Sequence, residues 1–170
     1  MLGLSLFAAR EGSTPEGSFP SLVSGISNLE FGVRLCRAVM NYVLDASALM
    51  AFFEDRAGGE KVEELLSKAA EAKHPLLMSV INWGEVYYAI WRAHGEKAAN
   101  IKLQETAQLP VALVNVDAEL ARLAASLKAR HNLPYTDCFA AALALTRKAA
   151  LVTTDKDFKC VASVLKIVWV

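Results

Sequence analysis

A chain of 170 residues fits a single domain at the usual length of about 100–200 residues. Hydrophobic residues make up 54% of it and charged residues 21%, a composition that can bury a full core and argues against a disordered chain. Lysine and arginine number 18 against 18 aspartate and glutamate, which argues against a general polyanion binder relying on many basic contacts to phosphate. That balance leaves open a site where a metal ion supplies positive charge locally.

Residues 1–39 differ in character from the rest of the chain. Met1 to Ala9 is apolar in the manner of a signal peptide, but it is short and has no basic residues ahead of it. Glu11 to Ser18 has loop composition without periodicity. The expectation is an N-terminal extension over 1–39, disordered or upstream of a natural start at Met40, and then one domain over 40–170. From Met40 the pattern changes, and Met40-Asn41-Tyr42-Val43-Leu44-Asp45 reads as a strand running into a polar turn.

Val62, Leu65, Leu66 and Ala69 then recur at helical spacing, giving an amphipathic helix from about Gly59. Leu76 to Val80 is a short buried strand. Trp83, Val86, Tyr87 and Ile90 form a second helical stripe, and a third helix covers Glu96 to Gln108 before Pro110. Val111 to Val116 reads as a strand. Asp117 can cap the next helix, with apolar positions Leu120, Leu123, Ala124 and Leu127. Pro134 precedes an alanine-rich helix for which Thr136 is the expected cap. Leu151-Val152 and Ile167 to Val170 close the chain as strands. Strands interleaved with helices predict an α/β fold with a mostly parallel sheet covered on both faces.

Four acidic residues stand at the boundaries of these elements. Asp45 closes the first strand, Asp155 comes directly after Leu151-Val152-Thr153-Thr154, and Glu85 and Asp137 lie in the opening turns of two helices. In an α/β fold such strand ends and helix starts meet in the ligand crevice. Carboxylates gathered there repel one another, so the set makes sense around a cation. Mg²⁺ or Mn²⁺ suits an all-oxygen shell. His74, His94 and His131 lack paired spacing, which argues against zinc. One or two such ions could activate water and stabilise the leaving oxygen in phosphoester hydrolysis. Ser47 and Thr154 are placed to support the carboxylates, and Asp157 is an outer candidate.

Each position also has a plainer reading. Asp45 and Asp155 could be N-caps, and Asp137 suits a first helical turn through the helix dipole alone. Ser47 and Thr154 could be local caps, while Tyr87, Tyr88 and Trp91 read as core or interface. Glu85, between Trp83 and Val86 in an apolar context, is the least explained by structure.

Taken in order, Val43-Leu44-Asp45-Ala46-Ser47-Ala48-Leu49, Ser79-Val80-Ile81-Asn82-Trp83-Gly84-Glu85-Val86, Leu133-Pro134-Tyr135-Thr136-Asp137-Cys138-Phe139-Ala140 and Leu151-Val152-Thr153-Thr154-Asp155-Lys156-Asp157-Phe158 resemble four acidic blocks. They are those of PIN-domain ribonucleases, in particular the VapC-type toxins of bacterial toxin–antitoxin pairs. The resemblance spans residues 40–170, and all four acidic positions are filled. It implies a three-layer α/β/α sandwich with a parallel sheet and a homodimer formed by helices near the second and third predicted ones. It also implies Mg²⁺- or Mn²⁺-dependent endoribonuclease activity, often on a structured RNA such as tRNA, and a cognate antitoxin that blocks the acidic pocket.

Arg92, Lys128, Arg130, Arg147, Lys148, Lys156 and Lys159 are candidates to flank the crevice, although solvated surface charge is the default for such residues. The three cysteines, Cys36, Cys138 and Cys160, are odd in number and read as free thiols of a reducing, cytoplasmic setting. No apolar run approaches the roughly 18–20 residues of a membrane span.

Three alternatives carry other functions. A phosphatase of the haloacid dehalogenase type needs a second aspartate where Ser47 stands. A metal-dependent adhesion module needs serine where Leu49 stands. A PIN-like module could bind RNA without turnover.

Overall fold

The computed structural model describes residues 40–170, so the expectation for residues 1–39 lies outside the described residues. Five strands form one sheet: β1 (Tyr42–Leu44), β2 (Leu76–Ser79), β3 (Val111–Val114), β4 (Ala150–Thr153) and β5 (Ile167–Trp169). Their order is β3-β2-β1-β4-β5 and every pair is parallel. The chain therefore starts in the middle of the sheet, builds outward on one side, and returns to build on the other. Its direction reverses between β1 and β4, and at such a switch point the connections diverge and leave a crevice beyond the carboxyl ends of the strands.

Six helices cover the sheet: α1 (Ala46–Phe53), α2 (Gly59–Ala72), α3 (Val80–His94), α4 (Glu96–Thr106), α5 (Ala118–Arg130) and α6 (Tyr135–Thr146). A 3₁₀ turn at Lys156–Val161 precedes β5. Alternation along the strands assigns the two faces. Leu44, Leu76 and Val152 pack with Ala48, Val62, Leu66 and Ala69 from α1 and α2. Val43 and Leu151 face the other way, against Leu120, Ala124 and Leu127 of α5 and the buried residues of α6. Met78 joins Leu49, Val86, Ile90 and Ala99, which ties α3 and α4 to α1. This is the α/β/α sandwich expected from the sequence.

The chemistry of α6 matters most for the site. Every residue from Asp137 to Ala144 is buried, which only a helix rich in alanine achieves while lying close against β1, β2 and β4. Burial on all sides leaves Asp137 fixed at one end of a rigid, enclosed rod.

Several details differ from the sequence reading. The polar turn after Asp45 is the start of α1, whose sequence Ala-Ser-Ala-Leu-Met-Ala-Phe-Phe is apolar nearly all round and so shows no stripe. Thr136 is not the cap of α6: the helix begins at Tyr135 behind Pro134, with no side-chain cap. The third predicted helix ends at Thr106, two residues early. Asp117 does cap α5, accepting the Leu120 N–H at 2.8 Å. Cys138 is buried and Cys160 exposed, both as free thiols. Among the described residues no helix is long and apolar enough to cross a membrane.

Candidate active site

Asp45 comes directly after β1, and its backbone N–H bonds the Val152 carbonyl at 3.0 Å, which locks the end of β1 to the end of β4. The side chain is 2% exposed and faces the switch point. One of its oxygens is saturated. Oδ2 accepts the Ser47 N–H at 3.2 Å, the Ser47 hydroxyl at 2.6 Å and the Thr153 hydroxyl at 3.0 Å. Those two hydroxyls in turn accept from the loop just past β4: Thr154 N–H donates to Ser47 Oγ at 3.1 Å, and Asp155 N–H donates to Thr153 Oγ1 at 3.0 Å. Both hydroxyl protons thus point at Asp45, and the network joins the strand carrying Asp45 to the loop carrying Asp155. Burial raises the Asp45 pKa, and the bonds from Ser47 and Thr153 oppose that rise.

The other oxygen, Oδ1, has only a long contact with the amide of Asn82, at 3.5 Å. Asn82 is fully buried in α3 and also donates to the Thr136 carbonyl at 3.2 Å. Ser79 caps α3 through its hydroxyl to Ile81 N–H at 3.1 Å, which fixes the start of the helix and so the direction of Asn82 and, one turn on, Glu85.

Glu85 is half-buried, and its pKa is raised first by burial and then by the charge of Asp45; the hydroxyls of Thr136 and Tyr88 oppose the rise. Asp137 is 6% exposed, and its pKa is raised to about 7, first by burial and then by the charges of Asp45, Glu85 and Asp155. Four carboxylates from β1, α3, α6 and the end of β4 are therefore close enough to feel one another. Asp155 also caps the 3₁₀ turn, accepting the Asp157 N–H at 2.8 Å. The capping roles of Asp45 and Asp155 are real and coexist with membership of the cluster.

Among the described residues, no three His, Cys, Asp or Glu side chains stand close enough together to hold a metal ion as they are. The donor chemistry nonetheless fits a divalent cation. Among the described residues, Glu85 Oε2, Asp137 Oδ2 and Asn82 Oδ1 are buried with no hydrogen-bond partner, and Asp45 Oδ1 has only its long amide contact. Buried acceptors are seldom left without a donor, and three carboxylates plus an amide oxygen form the hard, all-oxygen set that Mg²⁺ and Mn²⁺ take. The positive ends of α1 and α6 lie beside Asp45 and Asp137 and offset part of the repulsion, whereas Glu85 stands in the second turn of α3 rather than its opening one.

Sequence reasoning missed Thr153, Asn82 and Thr136. Thr153 is 0% exposed, an unusual place for a hydroxyl, but no spacing rule separates it from its neighbour Thr154. Ser47 does reach Asp45, whereas Thr154 contributes its backbone N–H. Asp157 is exposed and touches the cluster only through its own N–H. Tyr88 and Trp91, expected in the core or an interface, are 47% and 42% exposed, and Tyr135, two residues before Asp137, is 49% exposed.

The model of one family, described as PIN domain, matches residues 42–164, well over half of the chain. The chain belongs to the PIN-domain family. This PIN domain is similar to a toxin–antitoxin complex from Klebsiella pneumoniae, at 23% identity over 75% of this chain and 96% of that one, with a TM-score of 0.55. It is similar to VapBC2 from Rickettsia felis bound to a DNA fragment from their promoter, at 18% identity over 76% and 98% of the two chains, TM-score 0.61. It is also similar to VapC20 of Mycobacterium tuberculosis, named as a sarcin-ricin loop cleaving toxin, at 19% identity over 74% and 96%, TM-score 0.58. At these identities the likeness shows the fold. No curated protein sequence matches the chain.

Proposed function

We propose that this PIN domain is an endoribonuclease dependent on Mg²⁺ or Mn²⁺, with Asp45, Glu85, Asp137 and Asp155 as its catalytic and metal-holding residues. The observation that carries the reading is the set of buried, unpartnered oxygens on Glu85, Asp137 and Asn82 beside the half-satisfied carboxylate of Asp45. A bound divalent cation would supply the positive charge that phosphodiester hydrolysis needs at the attacking and leaving oxygens. The chain's own residues prepare for it. Ser47 and Thr153 hold Asp45 in one orientation and favour its ionised form, leaving Oδ1 as the oxygen to be used. Glu85, Asp137 and Asp155 would complete the shell directly or through water, with Thr154 and Asp157 in support through their backbone N–H groups.

The exposed rings of Tyr88 and Tyr135, on the helices that carry Glu85 and Asp137, would offer faces on which unpaired bases can stack. This favours a single-stranded loop of a structured RNA, tRNA included, over a duplex. Lys156, adjoining Asp155, and Arg130, just ahead of the loop into α6, are the better candidates for phosphate contact. Lys128 is committed to the Leu133 carbonyl at 2.8 Å, and Arg147 and Lys148 lie past the end of α6 farthest from Asp137.

The likeness to VapC20 and to toxin–antitoxin complexes supports RNA as substrate, a toxin's role and a cognate antitoxin as partner; work in the cytoplasm is proposed with that role. A homodimer through α3 and α4 suits the exposure of Trp91 and Ile101 there. The test is incubation of the full chain in Mn²⁺ with RNA, DNA of the same sequence and a small phosphomonoester. Discrete fragments from RNA alone are expected. Phosphate release from the monoester would point instead to a phosphatase, and RNA binding without cleavage to a binding module.

A further inference from the structure

Asn82 is fully buried and carries no charge, while Val86 and Ile90 supply the buried apolar contacts of its helix with α1 and α4. Its amide nitrogen lies 3.5 Å from Asp45 Oδ1 and 3.2 Å from the Thr136 carbonyl. Both partners are acceptors only, so the NH₂ group must face them, since the reverse orientation would set three oxygens against one another. The two amide protons are thereby used, one toward the carboxylate that ends β1 and one toward the backbone of the first turn of α6. One small side chain on α3 thus spans the two other elements that carry Asp45 and Asp137. With the amide fixed this way, Oδ1 is turned from both partners, is buried, and has no donor. Glu85 and Asp137 each leave a buried oxygen in the same condition.

We infer that Asn82 is a positioning residue for the divalent cation: its NH₂ fixes Asp45 against the first turn of α6, and its carbonyl oxygen gives the hydrated cation a neutral acceptor. Neutrality is the reason for an amide here. A fifth carboxylate would add one more like charge beside Asp45, and an apolar side chain would leave Asp45 Oδ1 without its amide contact. Residues that orient metal-holding side chains in this way typically cost about 10–100-fold in metal affinity when changed.

This inference rests on the cation reading above, and the experiment separates the two. Mn²⁺ binding to the full chain would be measured by electron paramagnetic resonance of free Mn²⁺, for wild type, Asp137→Asn, Asn82→Leu and Asn82→Ser. Leucine keeps the branched shape, with greater bulk, and removes both the amide NH₂ and its carbonyl; serine keeps one donor and one acceptor. Asn82→Leu should weaken Mn²⁺ binding at least tenfold while cooperative thermal unfolding persists, and Asn82→Ser should fall between leucine and wild type. If the leucine variant does not fold, the serine variant decides: binding at least threefold weaker than wild type upholds the role, and wild-type binding overturns it. Mn²⁺ affinity within twofold of wild type in a folded Asn82→Leu protein shows Asn82 to be a packing residue only. Wild-type protein that binds no Mn²⁺, or binding that ignores Asp137→Asn, overturns the cation reading and this inference with it.

Discussion

Replacing Asp137 by Asn should stabilise the metal-free protein at neutral and alkaline pH, and the gain should depend on pH in a defined way. The Asp137 carboxyl titrates near 7 in the folded chain, against 3.8 for a free aspartate. Below pH 3.8 it is protonated in folded and unfolded chains alike and costs nothing. Between 3.8 and about 7 the unfolded chain releases its proton while the folded chain keeps it, so stability falls as pH rises. Above about 7 the group is ionised in both states and the full penalty stands. At about 1.4 kcal/mol per tenfold change, that penalty has an upper bound of about 4 kcal/mol. Half-exposed Glu85 and Asp155 open the cluster to water and salt, and such screening brings the expected figure to about 2 kcal/mol. Asparagine is neutral and nearly isosteric, and loses only a first-turn dipole contribution of about 0.3–1 kcal/mol. Thermal melts in EDTA from pH 5 to 8 should show the variant gaining on wild type as pH rises, to roughly 5 °C at pH 8. Added Mn²⁺ should reverse the order by stabilising wild type alone. A difference that does not change with pH, or a variant that unfolds well below wild type at pH 8, would refute the electrostatic argument and leave Asp137 a structural residue.

Two other changes test the scaffold around the cluster. Ser47→Ala removes a 2.6 Å donor to Asp45 and strands the Thr154 N–H; it should cost about 1–3 kcal/mol in chemical denaturation and lower RNA cleavage at least tenfold at saturating Mn²⁺. Gly58 is the N-cap of α2 at φ +93°, packed where a Cβ would overlap the Val170 backbone. Gly58→Ala should therefore destabilise the fold by about 1–3 kcal/mol, read by thermal melting.

Much of the fold is legible in the chain because local pattern and tertiary need agree. Val62, Leu66 and Ala69 form the buried stripe of α2 that their spacing announces, and Asp117 caps α5 as its position suggests. The four acidic positions are readable because parallel strands bring their carboxyl ends to one edge, whatever lies between them in sequence. The hidden features have a common cause. Helix α1 is apolar on every side because it is packed between α2 and α3, so it has no polar face to reveal its period. Asn82 and Thr153 lie within otherwise apolar stretches, and their roles depend on partners 37 and 108 residues away in the chain. Tyr88 and Trp91 read as core or interface from their aromatic character, and α3 turns that side outward, which rules out the core for both.

The central claim is that four carboxylates and a divalent ion make this PIN domain a ribonuclease. It is tested most directly by RNA cleavage with the full chain in Mn²⁺, in EDTA, and with Asp45→Asn, Glu85→Gln, Asp137→Asn and Asp155→Asn in turn. Wild type in Mn²⁺ should give discrete fragments, EDTA should abolish them, and each of the four folded variants should lose at least a hundredfold. Cleavage that survives EDTA, or that persists when any two of the four carboxylates are neutralised one at a time, would contradict it.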